Sequence, residues 1–283
     1  MITCLIKGGL GNQLFQIYRL LAYAITYNLN FYILETPTVG NRPSYWNTIF
    51  TNLKTVLRKQ HVLNLIILEE SQINNYTNDS IVTIMSKNNI IINGYFQNYK
   101  YFENVSNLIS NILHINELCS KVAIKHPYKY KSTTSMHFRY GDYKSLSDHF
   151  NILEYSYYYS ALSYILQNEN PISITNNVLI FYEASDYLQV SNIVDRLKQN
   201  VLMSTLNFIY IDTNIPDYEQ IFIMSNCKNN IIANSTFSWW GAYFNVTENP
   251  IRCYPSVWYR HKLSYIDTDG LHPPTWTCIE SNA

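Results

Sequence analysis

The sequence predicts an α/β protein built from strand–helix–strand units around parallel sheets. Three observations predict it. Strand-like and helix-like runs alternate along most of the chain, the pattern that right-handed β-α-β crossovers leave in a sequence. The strand candidate Val178-Leu179-Ile180-Phe181-Tyr182 is short and apolar throughout, as a strand covered on both faces must be. The chain has 283 residues, 47% of them hydrophobic. That supplies a core for one large domain or two small ones, at roughly 100–200 residues per domain.

Residues 2–7 read as a strand that runs into Gly8-Gly9-Leu10-Gly11-Asn12. Leu14, Phe15, Tyr18, Leu21, Ala22 and Ile25 then recur at helical spacing. Residues 30–34 read as a second strand, and Pro37, Gly40 and Pro43 mark a loop. Short helices and strands are expected over 46–75. Residues 89–94 form a strand that leads into Gly94–Phe102 and then a helix to about Leu113. The basic, polar run 119–131, with Pro127, is the expected linker. It gives a first domain over 1–125 and a second over 126–283. In the second domain strands are expected at 133–138, 178–182, 206–211, 230–233 and 251–254. Helices are expected between them at 154–167, 188–197, 218–225 and 238–245.

Composition narrows the partners. Lys+Arg 20 balance Asp+Glu 20, so no basic surface invites nucleic acid or an anionic membrane. Cys4, Cys119, Cys227, Cys253 and Cys278 show no C-x-x-C spacing, which argues against a zinc cluster. A scattered, odd set suits reduced thiols in a cytosol-like compartment. No basic segment followed by a long apolar stretch opens the chain, and no apolar run reaches about 18 residues. The expectation is a cytoplasmic protein without signal peptide or transmembrane segment.

In an open α/β sheet, ligands bind beyond the carboxyl ends of the strands. Three segments are expected there. In Gly8–Gln13, glycines let backbone N–H groups approach a ligand. A plain tight turn would read the same, and the segment is neither the dinucleotide fingerprint nor a P-loop. In His137-Phe138-Arg139-Tyr140-Gly141-Asp142-Tyr143, Arg139 offers a rigid fork of donors suited to phosphate, and Asp142 would either hold that fork or accept from a ribose or base. A surface ion pair would read the same, and His137 reads equally as a core histidine with its hydrogen bond satisfied. In Asn234–Tyr243, Ser235, Thr236 and Ser238 either cap a helix or offer hydroxyls and free N–H groups to an anion. Trp239 and Trp240 read first as core or interdomain packing, with a sugar-stacking role as the lesser alternative. Asp267-Thr268-Asp269 has the D-x-D form of metal-dependent sugar transferases, but no strand leads into it.

Four segments in order resemble the family-11 α-1,2-fucosyltransferases: GGLGNQLFQ from Gly8, GYFQNYKYF from Gly94, HFRYGDY from His137 and CKNNIIANSTFSWWGAY from Cys227. These belong to the wider group of GDP-fucose-dependent α-1,2, α-1,6 and protein O-fucosyltransferases. The resemblance implies a GT-B-like fold, two Rossmann-like α/β domains with the donor site in the cleft between them. The first would lie on the acceptor side and the second would bind the GDP-sugar. It implies inverting transfer of L-fucose from GDP-β-L-fucose to a glycan acceptor, here the 2-hydroxyl of a β-galactoside, without metal or cofactor. It places Arg139 on the β-phosphate, with His137 and Asp142 in the same motif. Ser235, Thr236, Phe237 and Ser238 would lie against the pyrophosphate. Gly11 and Asn12 would reach the donor from the other domain, and Asp186 would lie near the nucleoside. A microbial or viral soluble form is implied, in place of the membrane-anchored Golgi form of animals.

Two positions depart from the pattern. Tyr140 stands where the motif has a second Arg. Gln220, with Glu219 beside it, stands where an Asp would contact guanine, and both are carried as guanine candidates. Asp148, followed by His149, is the candidate general base, although a polar loop reads the same way. Three functions stay open on the sequence: an active α-1,2-fucosyltransferase, a relative using another GDP-sugar, and a nucleotide- or glycan-binding protein of the same fold without turnover.

Overall fold

The computed structural model describes residues 1–36, 38–39, 42–74, 83–85, 87–171 and 174–281. Pro37 and Gly40, expected in a loop, lie outside the described residues. The chain divides into two units, Met1–Leu118 and Cys119–Ala283.

In the first unit, β1 (Ile2–Cys4) leads into α1 (Leu10–Thr26). Later in the chain come β2 (Leu65–Glu69), β3 (Asn89–Asn93) and α2 (Ser106–Ile112). β3 lies between β1 and β2, and both pairings are parallel. Ile2, Cys4, Ile90 and Ile92 are buried, as are Leu14, Phe15, Tyr18 and Leu21 along the apolar stripe of α1. Tyr18 reaches α2, its hydroxyl 2.9 Å from that of Ser110.

The expected linker at 119–131 is largely helix instead. Helix α3 (Ile115–Lys125) buries Ile115, Cys119 and Val122 at i, i+4 and i+7 and turns its charged residues outward. One narrow buried stripe leaves the composition polar, which is why the stretch reads as a connector. The helix ends two residues before Pro127, whose ring would clash with the preceding turn.

The second unit runs β4 (Thr133–His137), α4 (Tyr155–Asn168), β5 (Asn177–Phe181), α5 (Tyr187–Lys198) and β6 (Asn207–Tyr210). It continues with α6 (Asp217–Asn226), β7 (Asn229–Ile231), α7 (Thr236–Tyr243), β8 (Arg252–Pro255) and β9 (Thr277–Ile279). Among the described residues these strands form one parallel sheet in the order β6-β5-β4-β7-β8-β9. β9 is an addition to the expected set. Only three residues long, with Cys278 exposed, it carries no apolar run to announce it.

Met136, Val178, Ile180, Val190, Val194, Leu197 and Phe208 form one core cluster with residues of α4. Trp239, Trp240, Phe222 and Phe244 are buried together as well. The Trp239 indole N–H donates to the Leu271 carbonyl at 2.8 Å, so this tryptophan is a packing element. All five cysteines are free thiols. No helix among the described residues is long and apolar enough to cross a membrane.

Candidate functional site

The order of the second sheet decides where a ligand would bind. From β4 the chain steps outward through β5 to β6, then returns to lay β7 on the other side of β4 and continues through β8 to β9. The carboxyl ends of β4 and β7 therefore flank a topological switch point, the position at which open α/β sheets form a crevice. His137 is the last residue of β4, and Arg139 follows two residues on. Across the switch point, β7 runs through Asn234 into the start of α7. The sheet thus brings together the His137–Tyr143 and Asn234–Tyr243 segments. The Tyr143 hydroxyl donates to the Asn234 carbonyl at 3.0 Å and ties them.

Arg139 is held from two sides. Its Nη2 donates to Asp142 Oδ1 at 2.6 Å, and its Nη1 is bonded to Glu183, from the loop after β5. The Arg139 side chain is 17% exposed, while Asp142 and Glu183 keep 54% and 45% of theirs in solvent. Burial alone would lower the guanidinium pKa, but the Glu183 and Asp142 carboxylates outweigh it and hold it above the ordinary value. The guanidinium also lies over the Tyr143 ring, 5.2 Å from its centroid.

His137 is buried, and its Nδ1 sits 2.9 Å from the Ser238 hydroxyl on the first turn of α7. Burial, reinforced by the nearby Arg139 charge, pushes the imidazole down to about 3, so it stays neutral. Its ring lies 5.5 Å from that of Phe237. Ser235 is the N-cap residue of α7, but its side chain makes no capping bond. Ser235 therefore does not use the capping role that the sequence allowed, and the start of α7, which carries the positive end of the helix dipole, meets the end of β4 through Ser238 and His137.

Tyr140 takes no part in this. It is buried in the core cluster beside Phe138 and Tyr158, and its hydroxyl donates to the Leu153 carbonyl at 3.0 Å. Asp186, expected near a nucleoside, is 1% exposed. Its two oxygens accept from the Gly141 N–H and from Lys144 Nζ, both at 2.8 Å. It thereby fixes the turn at Gly141, whose φ of +31° favours glycine.

The remaining expected residues have partners of their own. Glu219 is buried in α6 and already accepts from Lys125, His126 and the Tyr218 hydroxyl. Those hydrogen bonds overcome burial and leave its carboxyl pKa below the ordinary value. The Gln220 amide donates to the Ile215 carbonyl. Asp148 is exposed, 3.5 Å from Lys262 Nζ. Asp267 accepts from the Asp269 N–H in a local turn, which accounts for the D-x-D sequence.

In the first unit, Gly8 adopts φ +80°, and a Cβ there would come within 2.5 Å of the Asn12 amide nitrogen. Only glycine lets the turn fold this tightly onto α1. Gln97 donates to Asn12 Oδ1 at 3.0 Å. Gln16 bonds both the Lys7 backbone and the Gly94 carbonyl. The Gly8–Gln13 turn and the Gly94–Phe102 segment are thus joined at the carboxyl ends of β1 and β3, with Gly11 buried in the first turn of α1. Sequence reasoning missed Glu183, Lys144, Gln16 and Gln97. Glu183 was findable, because it stands two residues past the end of a strand, where ligand-facing groups collect.

No family model matches the chain. Relatives do. The chain is 28% identical to the O-antigen biosynthesis glycosyltransferase WbnK of Escherichia coli, over 92% of this chain and 95% of that protein. It is 26% identical to an Escherichia coli α-1,2-colitosyltransferase over 99% of both chains. It is 24% identical to a Caenorhabditis elegans galactoside 2-α-L-fucosyltransferase over 98% of this chain and 78% of that one. Among solved structures, the NodZ α-1,6-fucosyltransferase soaked with GDP-fucose superposes with a TM-score of 0.50 at 9% identity, over 85% of this chain and 91% of that one. The Escherichia coli ADP-heptose heptosyltransferase II does so with 0.50 at 8% identity, over 99% and 90%. Likeness at this identity concerns the fold, and both neighbours are GT-B glycosyltransferases. The parallel sheets and these neighbours give the chain the GT-B fold, and its full-length relatives are consistent with the likeness of its four motifs to the family-11 α-1,2-fucosyltransferases.

Proposed function

We propose that the protein is an inverting glycosyltransferase that moves L-fucose from GDP-β-L-fucose to the 2-hydroxyl of a β-galactoside. The observation that carries this reading is Arg139, a guanidinium fork fixed at the switch point at which α7 also starts. As the bond between the sugar carbon and the β-phosphate oxygen breaks, negative charge grows on the phosphate and the carbon becomes cationic. Fixed donors aimed at that developing charge lower the barrier most. Arg139 and the first N–H groups of α7 supply them, and His137, neutral and bonded to Ser238, keeps that turn in place. The acceptor oxygen attacks from the opposite side of the carbon, which inverts the configuration. Its proton leaves to solvent or to an exposed carboxylate, for which Asp148 is the candidate. In this reading the transfer needs no metal, because guanidinium and amide donors meet the charge.

The similarity to a galactoside 2-α-L-fucosyltransferase supports the acceptor and the linkage. A second reading keeps the linkage and changes the sugar. The full-length similarity to an α-1,2-colitosyltransferase favours a colitosyl donor. Incubation of the protein with GDP-fucose and lactose, with and without EDTA, and with the GDP-linked colitosyl donor in parallel, tests both. An α-1,2-linked fucosyl product that persists in EDTA is expected. Product from the colitosyl donor alone selects the second reading, and no product or sugar release from either donor ends both. The five free thiols suit a reducing compartment, in line with a cytoplasmic enzyme.

A further inference from the structure

The loop between β5 and α5 places one carboxylate that neither the motif nor the reading above uses. Glu183 bonds Arg139 Nη1, and one of its oxygens lies where a Cβ on Gly141 would come within 2.7 Å. It fills space that the missing side chain of Gly141 leaves open over the turn. That is the kind of space a glycine keeps clear for close approach of a ligand. A carboxylate presents to a guanidinium the same pair of anionic oxygens as a phosphate. Among the hydrogen bonds of the described residues, Arg139 is the partner of the Glu183 carboxylate. Nearly half exposed, that carboxylate has water to turn to when displaced.

The local charge makes displacement consequential. Arg139 contributes one positive charge, and Asp142 and Glu183 contribute two negative ones. Lys144 is the nearby cation, but it is bonded to Asp186. Tyr140 brings no charge, since it is buried in the core. A diphosphate arriving at Arg139 therefore meets a site whose carboxylates already outnumber its free cation. Like charges held close in a half-buried site repel each other by an amount that solvent only partly screens.

We propose that Glu183 is an internal stand-in for the donor's diphosphate, a specificity-determining residue that competes for Arg139, limits affinity for the diphosphate and helps expel it once the sugar has left. The inference rests on the reading that a diphosphate binds Arg139. It concerns the diphosphate and not the base, so the two can fail separately.

The test is calorimetric titration of the full-length protein, its Glu183→Gln variant and its Glu183→Ala variant with GDP, inorganic pyrophosphate and guanosine. Gln keeps the shape and removes the charge, and a half-exposed position tolerates both changes. In both variants GDP and pyrophosphate should bind roughly three- to tenfold more tightly, the order of one partly screened charge contact. Guanosine should be unchanged, and the gain should shrink in high salt. In steady-state assays, kcat and the donor KM should fall together in Glu183→Gln, because product leaves more slowly. Unchanged or weaker diphosphate binding in both variants, with a wild type that binds GDP, overturns this inference alone. A wild type that binds neither GDP nor pyrophosphate, with no gain in either variant, overturns it together with the reading beneath it.

Discussion

At the scale of single residues, the motif around Arg139 divides its work by direction. Arg139 turns to the carboxylates of Asp142 and Glu183, His137 to the first turn of α7 and Tyr140 to the core. Arg139→Ala should lower kcat by about 10²–10³, the loss that follows removal of one transition-state donor. Arg139→Lys should recover little of it, since an ammonium restores charge but not the fork. Tyr140 answers differently from what its place in the motif suggests. Introducing the second Arg of the motif it resembles, with Tyr140→Arg, should not improve donor binding. It should destabilise the fold by about 3 kcal/mol or more, because a guanidinium would replace a phenol among Phe138, Tyr158 and Leu153. Chemical denaturation and GDP titration of the same variant separate the two effects. The buried imidazoles set a pH dependence. Burial pushes His137 and His272 down to about 3, whereas in the unfolded chain they titrate near their ordinary value of about 6.5. As pH falls below that value, the unfolded state takes up protons that the folded state refuses. Stability that is full above pH about 6.5 is therefore lost progressively toward pH 3. The lowered Glu219 carboxyl adds a loss of the same sign at more acid pH. His272 stacks on Tyr254 at 3.8 Å, and its Nε2 is buried without a hydrogen-bond partner. His272→Phe should accordingly flatten the fall in urea midpoint between pH 7 and 5 while leaving the pH 7 value nearly unchanged.

At the scale of elements, the sequence showed most where one physical signal dominates. β5 is legible because both faces are covered and its run Val178–Phe181 is apolar, and α1 is legible because its stripe repeats at 3.6 residues. α3 was hidden because its buried stripe is narrow and its charges many, and β9 because three residues carry no period. The candidate site was half legible. Arg139, Asp142, His137 and Ser238 lie in two motifs, and the strand-end rule predicted that they would converge. Glu183 and Asp186 come from the β5–α5 loop, and which carboxylate meets which cation is decided by backbone geometry at Gly141, which no spacing encodes. Close approach of α6 to α7 is another feature that only packing reveals. At Gly241 a Cβ would sit 2.8 Å from Met224 Cβ, well inside contact distance. Gly241→Ala should therefore cost about 1–3 kcal/mol through overpacking, read as a lower denaturant midpoint at unchanged slope. Because α7 carries Ser238 and the helix start, the same variant should also weaken GDP binding. An unaltered midpoint would mean that the two helices can separate freely.

At the scale of the whole molecule, a chain of two units with balanced charge has little long-range field to gather an anionic donor. In the proposed reading recognition comes from the local fork at Arg139 and the dipole of α7, and it should be selective for the ligand that reaches both. Binding to the native state alone raises stability by mass action, about 2.7 kcal/mol at a hundredfold excess over Kd. For a unit the size of Cys119–Ala283, each kcal/mol moves the melting temperature by roughly 2–4 °C. GDP at that excess should thus raise Tm by about 5–10 °C, with UDP giving far less. Two units need not melt together, and a two-state treatment does not apply when they separate. The GDP-dependent rise should therefore appear in the transition that contains Arg139, and a scan resolving two transitions should show one moving more than the other. In Arg139→Ala most of the rise should vanish at the same GDP concentration, while the ligand-free Tm changes little, because its two carboxylate partners are half exposed and can turn to water. An equal rise with GDP in wild type and Arg139→Ala would move the diphosphate away from the switch point and with it the basis for the proposed transfer.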